Sequence, residues 1–332
     1  MSLTIPNCVS YDPSFAHEVG VILHEGLLRM VERQENVYYY VTVMNENYAH
    51  PGLRQGDEEG IIRGMYLLHE GAPAADGTTD AQVDAKAPRV QLMGSGVILR
   101  EVIEAARLLK EDWGIESDIW STTSFTELRR DGMACDRWHL LHPTEKPHVP
   151  YVGEQLDRRP AGPVIASTDY MKLFADQIRP YIPAGRRFKV LGTDGFGRSD
   201  FRYKLREHFE INRHFVVLAA LTALAEDGVI PLTKAAEAIQ RYGIDPEKIR
   251  RALRAFSPLE HRMEPCGAVA GVACVNDSKA TNVDATLKAF ASFRGPSSLF
   301  LLGGHDKGTD LSPLVEAAKD GCKAVVCFGA AG

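Results

Sequence analysis

An alternation of apolar, strand-like segments with helical segments limits the fold more than any other feature of this sequence. Four strand-like runs, VQLMGSG, DIWSTTSF, PVIASTDY and RFKVLGTDG, are separated by stretches with helical spacing, such as residues 97–110. Strands that alternate with helices predict right-handed β-α-β crossovers and a parallel sheet that helices cover on both faces. The sequence therefore predicts a three-layer α/β domain.

The residues before this series predict a helix, a strand and a linker. Apolar residues recur at helical spacing over residues 14–33, and residues 37–44, VYYYVTVM, are rich in β-branched and aromatic residues. Residues 71–88 are small and polar, as expected of an exposed linker. We therefore expect a domain boundary in this stretch, at about residue 85.

A second series of strands and helices follows Gly243, which we expect to cap a helix over residues 232–242. From Gly271 the segments GVACVNDSKATN, SSLFLLGGHDKG and AVVCFGAAG alternate with predicted helices over residues 284–293 and 311–319. An open parallel sheet of about three strands leaves an apolar edge and face uncovered. We therefore expect that part of this domain is missing at the C-terminus.

Composition excludes several classes of protein. The 332 residues are 45% hydrophobic and 25% charged, which predicts an ordered soluble protein, and the net charge of -6 without a basic stripe argues against nucleic acid. The N-terminus lacks a signal peptide, and the apolar run at residues 215–225 is shorter than the roughly 20 residues of a membrane span. Six cysteines without a CxxC pair predict reduced thiols, a cytoplasmic location and no metal site.

Several long segments resemble one enzyme family. SYDPSFAHEVGVILHEGL, QENVYYYVTVMNENYAHPG, VQLMGSGVILREVIEAARLL, DIWSTTSFTELRRDG, ASTDYMKLFADQIRPYIP and VLGTDGFGRSD occur in the order found in the homodimeric decarboxylase component of bacterial pyruvate dehydrogenase. The resemblance covers residues 2–248. It implies a transketolase-like architecture, with residues 1–85 as the tail of the pyrimidine-binding domain and its linker, and residues 86–248 as the C-terminal domain.

The same resemblance implies a cofactor and partners. The family uses thiamine diphosphate with Mg²⁺, which a GDG motif followed by an Asn ligand holds. No such motif occurs here, because GTDGFGRSD belongs to the family's third domain. The glutamate that activates the thiamine ring would lie before Met1, so we expect an incomplete active site. The family also implies a homodimer formed through residues 86–248 and association with a dihydrolipoyl acyltransferase complex.

Few residues of this first part are candidates for a local chemical role. Glu46 and Tyr48 follow a predicted strand, where sites often form, and could lie near the cofactor. His139 and His142 form an HxxH pair, which without a third ligand is more often structural. The GSG sequence at residues 94–96 could approach an anion, although a tight turn between strand and helix explains it as well.

The last part of the chain resembles a second family. The motifs LRAFSPLEHRMEPCG, VACVNDSKATNVDATLKAF and LFLLGGHDKGTDLSPL are similar to the UDP-N-acetylmuramoyl-L-alanine:D-glutamate ligases of peptidoglycan synthesis. The resemblance covers residues from about 252 to 332. It implies that residues 249–332 are a partial Rossmann-like C-terminal domain of a Mur ligase, an enzyme that uses ATP and Mg²⁺.

The ligase resemblance assigns six candidate residues. His261, Arg262, Asp277 and Lys279 would lie on the ATP side, where a guanidinium clamps phosphate and a carboxylate holds a ribose hydroxyl. Thr281 and Lys307 would bind the carboxylates of D-glutamate. The alternative is that NDSKATN is only a turn and a helix cap. No GKT-type phosphate loop occurs anywhere in the chain.

Three hypotheses follow from the sequence. The chain is a fragment of the pyruvate dehydrogenase decarboxylase that is inactive alone, a D-glutamate ligase remnant with half a site, or a fusion without activity. Whether it is an enzyme stays open at this stage, because both active sites are incomplete.

Overall fold

The computed structural model describes residues 4–71, 88–159, 161–244, 264–278, 280, 283–293, 295–304, 310–319 and 321–329. The chain forms two compact units, Met1–Asp245 and Pro246–Gly332. The division falls close to the predicted boundary at residue 248, and the junction itself and most of the predicted linker lie outside the described residues. No helix in the described ranges is long and apolar enough to cross a membrane.

The first unit alternates strands with helices, as the sequence predicts. Its strands in chain order are β1 (Cys8–Tyr11), β2 (Tyr38–Val41), β3 (Tyr66–His69), β4 (Arg89–Gly94), β5 (Glu116–Ser121), β6 (Val164–Ser167) and β7 (Phe188–Leu191). Its α-helices are α1 (Ala16–Leu27), α2 (Asp57–Arg63), α3 (Leu99–Trp113), α4 (Phe125–Leu141), α5 (Tyr151–Asp157), α6 (Lys172–Asp176), α7 (Arg202–His208), α8 (Arg213–Glu226) and α9 (Thr233–Arg241). A π-helical turn, Leu28–Glu32, extends α1.

Five strands form the main sheet in the order β3-β5-β4-β6-β7. The pairs among β4, β5, β6 and β7 are parallel, and β3 joins the edge antiparallel to β5. The chain passes from β4 to β5 on one side, and β6 then lies on the other side of β4. The carboxyl ends of β4 and β6 therefore flank a topological switch point, where ligands bind in open α/β sheets.

Side chains that alternate along the strands form two apolar cores, one on each face of the sheet. Leu92, Ile119 and Ile165 pack with α3, α8 and α9, whereas the adjacent residues Met93 and Trp120 pack with α4, α5 and α6. Helices on both faces explain why β4, β5 and β6 are buried at almost every position. The predicted three-layer α/β domain is confirmed.

The strand β3 was not expected in this sheet. It precedes the predicted boundary at residue 85, yet Tyr66 pairs with Ser121 and Leu67 with Trp120. A four-residue segment carries too little periodicity to assign to a sheet, and only its pairing with β5 shows where it belongs. The sheet therefore begins before the linker.

The segments β1 and β2 form a separate parallel pair, with α1 as the crossover between them. The extension after β1 reaches the carboxyl edge of the main sheet. The amide of Asp12 donates to the Thr123 carbonyl at 2.8 Å, and the amide of Gly96 donates to the Asp12 carbonyl at 2.8 Å. Two sets of strand ends thus meet at one edge.

The second unit contains two small sheets among its described residues. The strands are β8 (Glu264–Val269), β9 (Val272–Asn276), β10 (Leu299–Gly303) and β11 (Ala324–Phe328), and the helices are α10 (Val283–Ser292) and α11 (Ser312–Lys319). β8 and β9 pair antiparallel, whereas β10 and β11 pair parallel. The ring of Phe290 on α10 stacks on Phe300 with 4.0 Å between the centroids.

The expected parallel series from Gly271 onward needs a correction. Within the described residues, β9 pairs with β8 and not with β10. The reason is local: Ala270 and Gly271 both have positive φ angles, of 51° and 82°, which closes a tight hairpin between β8 and β9. The predicted exposure of apolar strand residues is present, with Leu301 67% and Phe328 56% exposed. A continuous Rossmann-like sheet is not shown.

Candidate functional site

The candidate site lies where the carboxyl ends of β1 and β2 meet those of β4, β5 and β6. Polar residues with short side chains follow these strands, and many are fully buried. We call five of them the edge cluster: Asp12 after β1, Thr42 after β2, Ser95 after β4, and Thr168 and Asp169 after β6. Its position at the switch point between β4 and β6 makes it the favoured place for a ligand.

Asp12 is the central residue of the edge cluster. Its side chain accepts a 2.6 Å hydrogen bond from the Thr42 hydroxyl. Gly96 packs against the carboxylate so closely that a Cβ there would lie 2.7 Å from both carboxylate oxygens, and its φ of 62° also favours glycine. Burial raises the pKa of Asp12 to about 6, against the opposing effect of hydrogen bonds from Thr42 and Ser95. Such a perturbed carboxyl group is a marker of functional sites.

Replacing Asp12 with asparagine tests the cost of this burial. An unfolded aspartate has a pKa of about 3.9, whereas folding raises that of Asp12 to about 6. The folded protein therefore binds a proton at Asp12 more tightly than the unfolded chain does. The stabilisation that this proton gives to the fold is fully present below pH ~4. It is lost as the pH rises through about 6. The shift corresponds to roughly 3 kcal/mol.

We expect the stability of wild type relative to Asp12→Asn to fall by about 2–3 kcal/mol between pH ~4.5 and pH ~7.5. Urea unfolding followed by tryptophan fluorescence measures it, because Trp113, Trp120 and Trp138 are the chain's three tryptophans and all belong to the first unit. Asp157→Asn, at a side chain that is 62% exposed, serves as the control. A difference that does not change with pH would contradict the assigned direction.

A chain of charged groups runs from Asp169 along the edge. The guanidinium of Arg206, which is only 5% exposed, donates to both carboxylate oxygens of Asp169 at 2.7 and 3.1 Å. Arg213 makes a second bidentate pair with Glu101, at 2.8 and 3.0 Å. Burial alone would raise the pKa of Glu101, but hydrogen bonds from Arg213 and the charge of Arg206 hold that pKa below its ordinary value. These ion pairs fix α7 and α8 beside the site.

Glu18 is a fully buried acceptor at the N-terminal end of α1. One carboxylate oxygen accepts from the amides of Ser14 and Phe15, at 2.5 and 3.0 Å. The other accepts from the hydroxyls of Tyr66 and Ser121, at 2.8 and 2.6 Å. A buried carboxyl group with four partners is satisfied, and it ties α1, β3 and β5 together.

Aromatic and histidine rings pack against one another where the loop after β2 meets the start of α1. The ring of Phe15 stacks on His17 at 5.7 Å and meets Tyr48 and His50 edge-on. Tyr48 and His50 stack on each other at 4.5 Å. His17 also contacts the Tyr66 hydroxyl at 3.1 Å. The loop therefore closes over titratable groups, an arrangement that can orient a ligand and move protons.

The two residues predicted for the decarboxylase side lie at this loop. Glu46 forms ion pairs with Arg100 on α3 and Arg202 on α7. The Tyr48 hydroxyl donates to the Ser14 carbonyl, and its ring lies 4.8 Å below the Arg100 guanidinium. Both side chains therefore hold the loop against the edge of the sheet, and a role near a cofactor stays a prediction.

The ligase-side candidates are placed only in part. Asp277 follows β9, and its carbonyl accepts from the Ala280 amide at 2.8 Å, as in a turn. His261, Arg262, Lys279, Thr281 and Lys307 lie outside the described residues. The assignment of these six residues to an ATP and D-glutamate site stays a prediction.

The remaining sequence candidates have structural surroundings. His142 stacks on Trp138 at 3.7 Å, and His139 contacts the His148 carbonyl at 2.9 Å. No group of three or more histidine, cysteine, aspartate or glutamate side chains that could hold a metal ion occurs in the described part of the chain. Gly96 is the first residue of a 3₁₀ turn before α3, which fits the turn interpretation of GSG.

Two family models match the first unit. Residues 1–51 match the pyruvate dehydrogenase E1 component middle domain, and residues 64–212 match the transketolase-like TK C-terminal domain. The pyruvate dehydrogenase E1 component of Pseudomonas aeruginosa is 58% identical over 248 residues, an alignment that covers 75% of this chain and 27% of that protein. Over about three quarters of its length, this chain is homologous to the pyruvate dehydrogenase E1 component.

A second E1 component gives a match of similar extent. The Escherichia coli K12 protein is 52% identical over 253 residues, which cover 76% of this chain and 27% of that protein. The chain thus spans about a quarter of the length of the curated E1 relatives that it matches. The transketolase of Leishmania mexicana is 16% identical with a TM-score of 0.42, and covers 69% of this chain and 27% of its own.

The matches show that the first unit is similar to the middle domain of the pyruvate dehydrogenase E1 component and to a transketolase-like C-terminal domain. Both family segments end by residue 212. The resemblance of residues from about 252 to 332 to a Mur ligase therefore rests on its motifs alone.

Sequence reasoning missed Asp12, His17 and Glu18 of the E1-related unit. Their signal is the run YDPSFAHE. In it the strand is followed by Asp-Pro, and Glu18 lies three residues after Phe15, the N-cap residue of α1. That pattern predicts a helix start. It cannot show that the glutamate is buried against Tyr66 and Ser121, because those partners come from distant strands.

Proposed function

We propose that the first unit serves as the C-terminal part of a thiamine diphosphate-dependent pyruvate dehydrogenase decarboxylase, which decarboxylates pyruvate oxidatively and transfers the acetyl group to lipoyl. The observation that carries this proposal is the 58% identity to an E1 component over 248 residues. The edge cluster and the ring-lined loop after β2 support it, because they place titratable groups at the switch point of the sheet.

The residues present do not fit the diphosphate and Mg²⁺ of the cofactor. The sequence contains no GDG motif. In the nearest sequence, GTDGFGRSD, Asp194 accepts from the Lys172 amide at 3.0 Å and so holds the start of α6. The described ranges also offer no cluster of metal ligands. We therefore propose that this unit supplies a wall of the active site, and that the thiamine-activating glutamate and the Mg²⁺ ligands come from elsewhere.

In that wall, the loop after β2 would orient the substrate and exclude water. Glu46 and Tyr48 would set the position of the loop through Arg100 and the Ser14 carbonyl. His17 and His50 would offer ring nitrogens for proton transfer at the loop. The edge cluster would keep the ends of β1 and β2 on the main sheet.

Complementation tests this function. The 332-residue chain is co-expressed with an E1 component of Pseudomonas aeruginosa from which the matched 27% has been removed. We expect pyruvate-dependent activity only when both chains are present, and a strong loss with His50→Gln. His24→Gln, on the exposed surface of α1, is the matched control and should retain activity. A complex that forms without activity in wild type would argue against the proposal.

The family resemblance also suggests partners. We propose that residues 86–248 form a homodimer and that the assembled enzyme associates with a dihydrolipoyl acyltransferase complex. Sedimentation of the full chain tests the first part: a species of twice the monomer mass of 36.6 kDa is expected, and a monomer at all concentrations would contradict it.

A second candidate function concerns the second unit. We propose that residues 249–332 derive from an ATP-dependent D-glutamate ligase and retain half of its site. The support is that NDSKATN begins at the end of β9 and GGHDKG at the end of β10, so both motifs follow strand ends. Loops after strands are where α/β enzymes bind nucleotides.

Ligand titration of the labelled full chain tests the ligase proposal. We expect ATP with Mg²⁺ to shift the NMR signals of Asp277 and its neighbours, and D-glutamate to shift those near Thr281 and Lys307. The signals of α9 in the first unit serve as the reference. An absence of shifts at ligand concentrations on the order of millimolar would contradict the proposal that residues 249–332 retain half of the ligase site.

A further inference from the structure

The hairpin of β8 and β9 brings two cysteines together on neighbouring strands. Pro265 lies opposite Val275 in the antiparallel ladder. The next pair is Gly267 with Cys274, so the register shifts by one residue at Cys266. Cys266 is therefore the extra residue of a bulge, in which two residues of one strand oppose one residue of the other. That one residue is Cys274.

The two cysteines also share a face of the hairpin. The side-chain amide of Asn276 lies 3.5 Å from the carboxylate of Glu264, which places these two opposite residues on one face. Side chains along a strand alternate between the faces with a period of two. Cys266 follows Glu264 by two residues, and Cys274 precedes Asn276 by two residues. Both thiols therefore project from the face that Glu264 and Asn276 mark.

The spacing of the two strands matches the reach of a disulfide bond. Opposite residues of an antiparallel pair have Cα atoms about 4.5–5.5 Å apart, and disulfides join Cα atoms roughly 4.4–6.8 Å apart. Both cysteines are free, and each thiol contacts its own strand: Cys266 Sγ lies 3.3 Å from the Glu264 carbonyl, and Cys274 Sγ lies 3.7 Å from the Val272 carbonyl. Rotation about the two Cα–Cβ bonds is the movement that brings the sulfur atoms together.

The other four cysteines lack such a partner in the strand pairs that the structure describes. Cys8 and Cys135 are buried in the first unit. Cys327 on β11 lies opposite Leu302. Cys322 and Cys327 are five residues apart on the segment that forms β11. At about 3.3 Å per strand residue, this separation exceeds the roughly 7 Å limit for a disulfide.

We propose that Cys266 and Cys274 are a redox-sensitive pair, which a small disulfide such as oxidised glutathione converts to a cross-strand disulfide bond. Cys266 is exposed and Cys274 half-buried, so the Cys266 thiolate attacks first. The S–S bond of the oxidant breaks, and one glutathione leaves as a thiolate. The Cys274 thiolate then attacks the Cys266 sulfur of the mixed disulfide, and the second glutathione leaves. The protein gives up two electrons and two protons, and the oxidant becomes two thiols.

The bond closes a ring over residues 266–274. This ring contains the turn at Ala270 and Gly271, and it joins the strands at the bulge, where the ladder of hydrogen bonds is interrupted. β9 ends at Asn276, the first residue of NDSKATN. Oxidation therefore locks the strand that leads into this motif. The proposal stands whether or not the second unit binds ATP or D-glutamate.

Peptide mapping of the wild-type full chain tests the proposal without any variant. The chain is incubated with oxidised glutathione, alkylated and digested with trypsin. Cleavage after Arg262 and Lys279 leaves Cys266 and Cys274 in one peptide, residues 263–279. We expect this peptide to lack two hydrogens and to take up no alkyl group. Two alkyl groups or two glutathiones on the peptide would overturn the proposal.

Cys327 is the internal reference for the strength of the effect. It is exposed and lacks an opposite cysteine, so it forms only a mixed disulfide with glutathione. A thiol held on the neighbouring strand reacts as if it were highly concentrated. At a fixed total of about 1 mM glutathione, we expect half-oxidation of the Cys266–Cys274 pair at a ratio of reduced to oxidised glutathione at least ~10-fold higher than for Cys327. Equal midpoints would contradict the proposal.

A one-residue shift of the second thiol tests the role of the hairpin. The double variant Cys274→Ser/Val275→Cys moves the thiol to the other face of the hairpin, although its separation from Cys266 in the sequence grows by only one residue. We expect a glutathione adduct on Cys266 in place of the internal bond, as in Cys274→Ser alone. An internal bond formed as readily as in wild type would contradict the assigned geometry.

Discussion

Arg159→Met is expected to lower the free energy of unfolding of the first unit by about 3–5 kcal/mol. Arg159 donates to both carboxylate oxygens of Asp118 at 2.9 Å, and the two side chains are 7% and 5% exposed. Gln91 and the Gly71 amide add hydrogen bonds to Asp118 at 2.8 and 3.0 Å. Methionine keeps the apolar packing and leaves Asp118 buried without its cation.

The pH dependence of this effect has a defined sign. Burial alone would raise the pKa of Asp118, but the hydrogen bonds and charge of Arg159 hold it below its ordinary value. The pair therefore stabilises the fold above the unfolded pKa of about 3.9. That contribution is lost as the pH falls through the folded value. The difference between wild type and Arg159→Met should shrink toward acid.

Arg158→Met is the matched control for Arg159→Met. Arg158 precedes Arg159, is 62% exposed and pairs only with Glu154 on the same helix among the described residues. An exposed pair of this spacing contributes about 0.3–0.5 kcal/mol. Urea unfolding at pH ~7 measures both variants. If both variants lost the same free energy of unfolding, the result would contradict a larger contribution from the buried Arg159–Asp118 pair.

Glu18→Ala is the second large expected effect. The substitution leaves two buried hydroxyls and two amides without their shared acceptor, and it opens space beneath α1. A buried donor without a partner costs about 1–3 kcal/mol, and the four costs do not add fully. We expect a loss of about 3–5 kcal/mol in the free energy of unfolding of the first unit.

Glu25→Ala on the same helix provides the control for Glu18→Ala. Glu25 pairs at 2.9 Å with Arg33, which is 53% exposed, so its removal should cost no more than about 1 kcal/mol. Tryptophan fluorescence during urea unfolding reports on both variants. A loss in Glu18→Ala that is no larger than the loss in Glu25→Ala would contradict the role of Glu18 as a buried anchor.

The fold of the first unit was largely predictable because its signals are local. Apolar strands bounded by turn residues and separated by amphipathic helices determine β4 to β7, and helical spacing determines α1, α3, α8 and α9. β3 was not predictable, because its place depends on pairing with β5 across the linker. The hairpin of β8 and β9 was missed for a different reason: Ala270 adopts a positive φ angle that alanine rarely takes.

The candidate site was less predictable than the fold. Glu46 and Tyr48 were predicted because they follow a strand; the structure places both against the edge of the sheet, and their role near a cofactor stays a prediction. Asp12 and Glu18 gave no comparable signal, since their character comes from burial and from partners at least 30 residues away, such as Thr42, Tyr66 and Ser121. Sequence spacing alone does not encode such contacts.

One titration tests the central claim that the first unit is a transketolase-like part of an E1-type decarboxylase that depends on cofactor ligands from elsewhere. Thiamine diphosphate with Mg²⁺ is titrated calorimetrically into the full chain alone, and into the chain mixed with the remaining three quarters of the Pseudomonas aeruginosa E1 component. We predict no binding to the chain alone, and binding with pyruvate-dependent activity in the mixture. Tight, Mg²⁺-dependent binding by the chain alone would contradict this account.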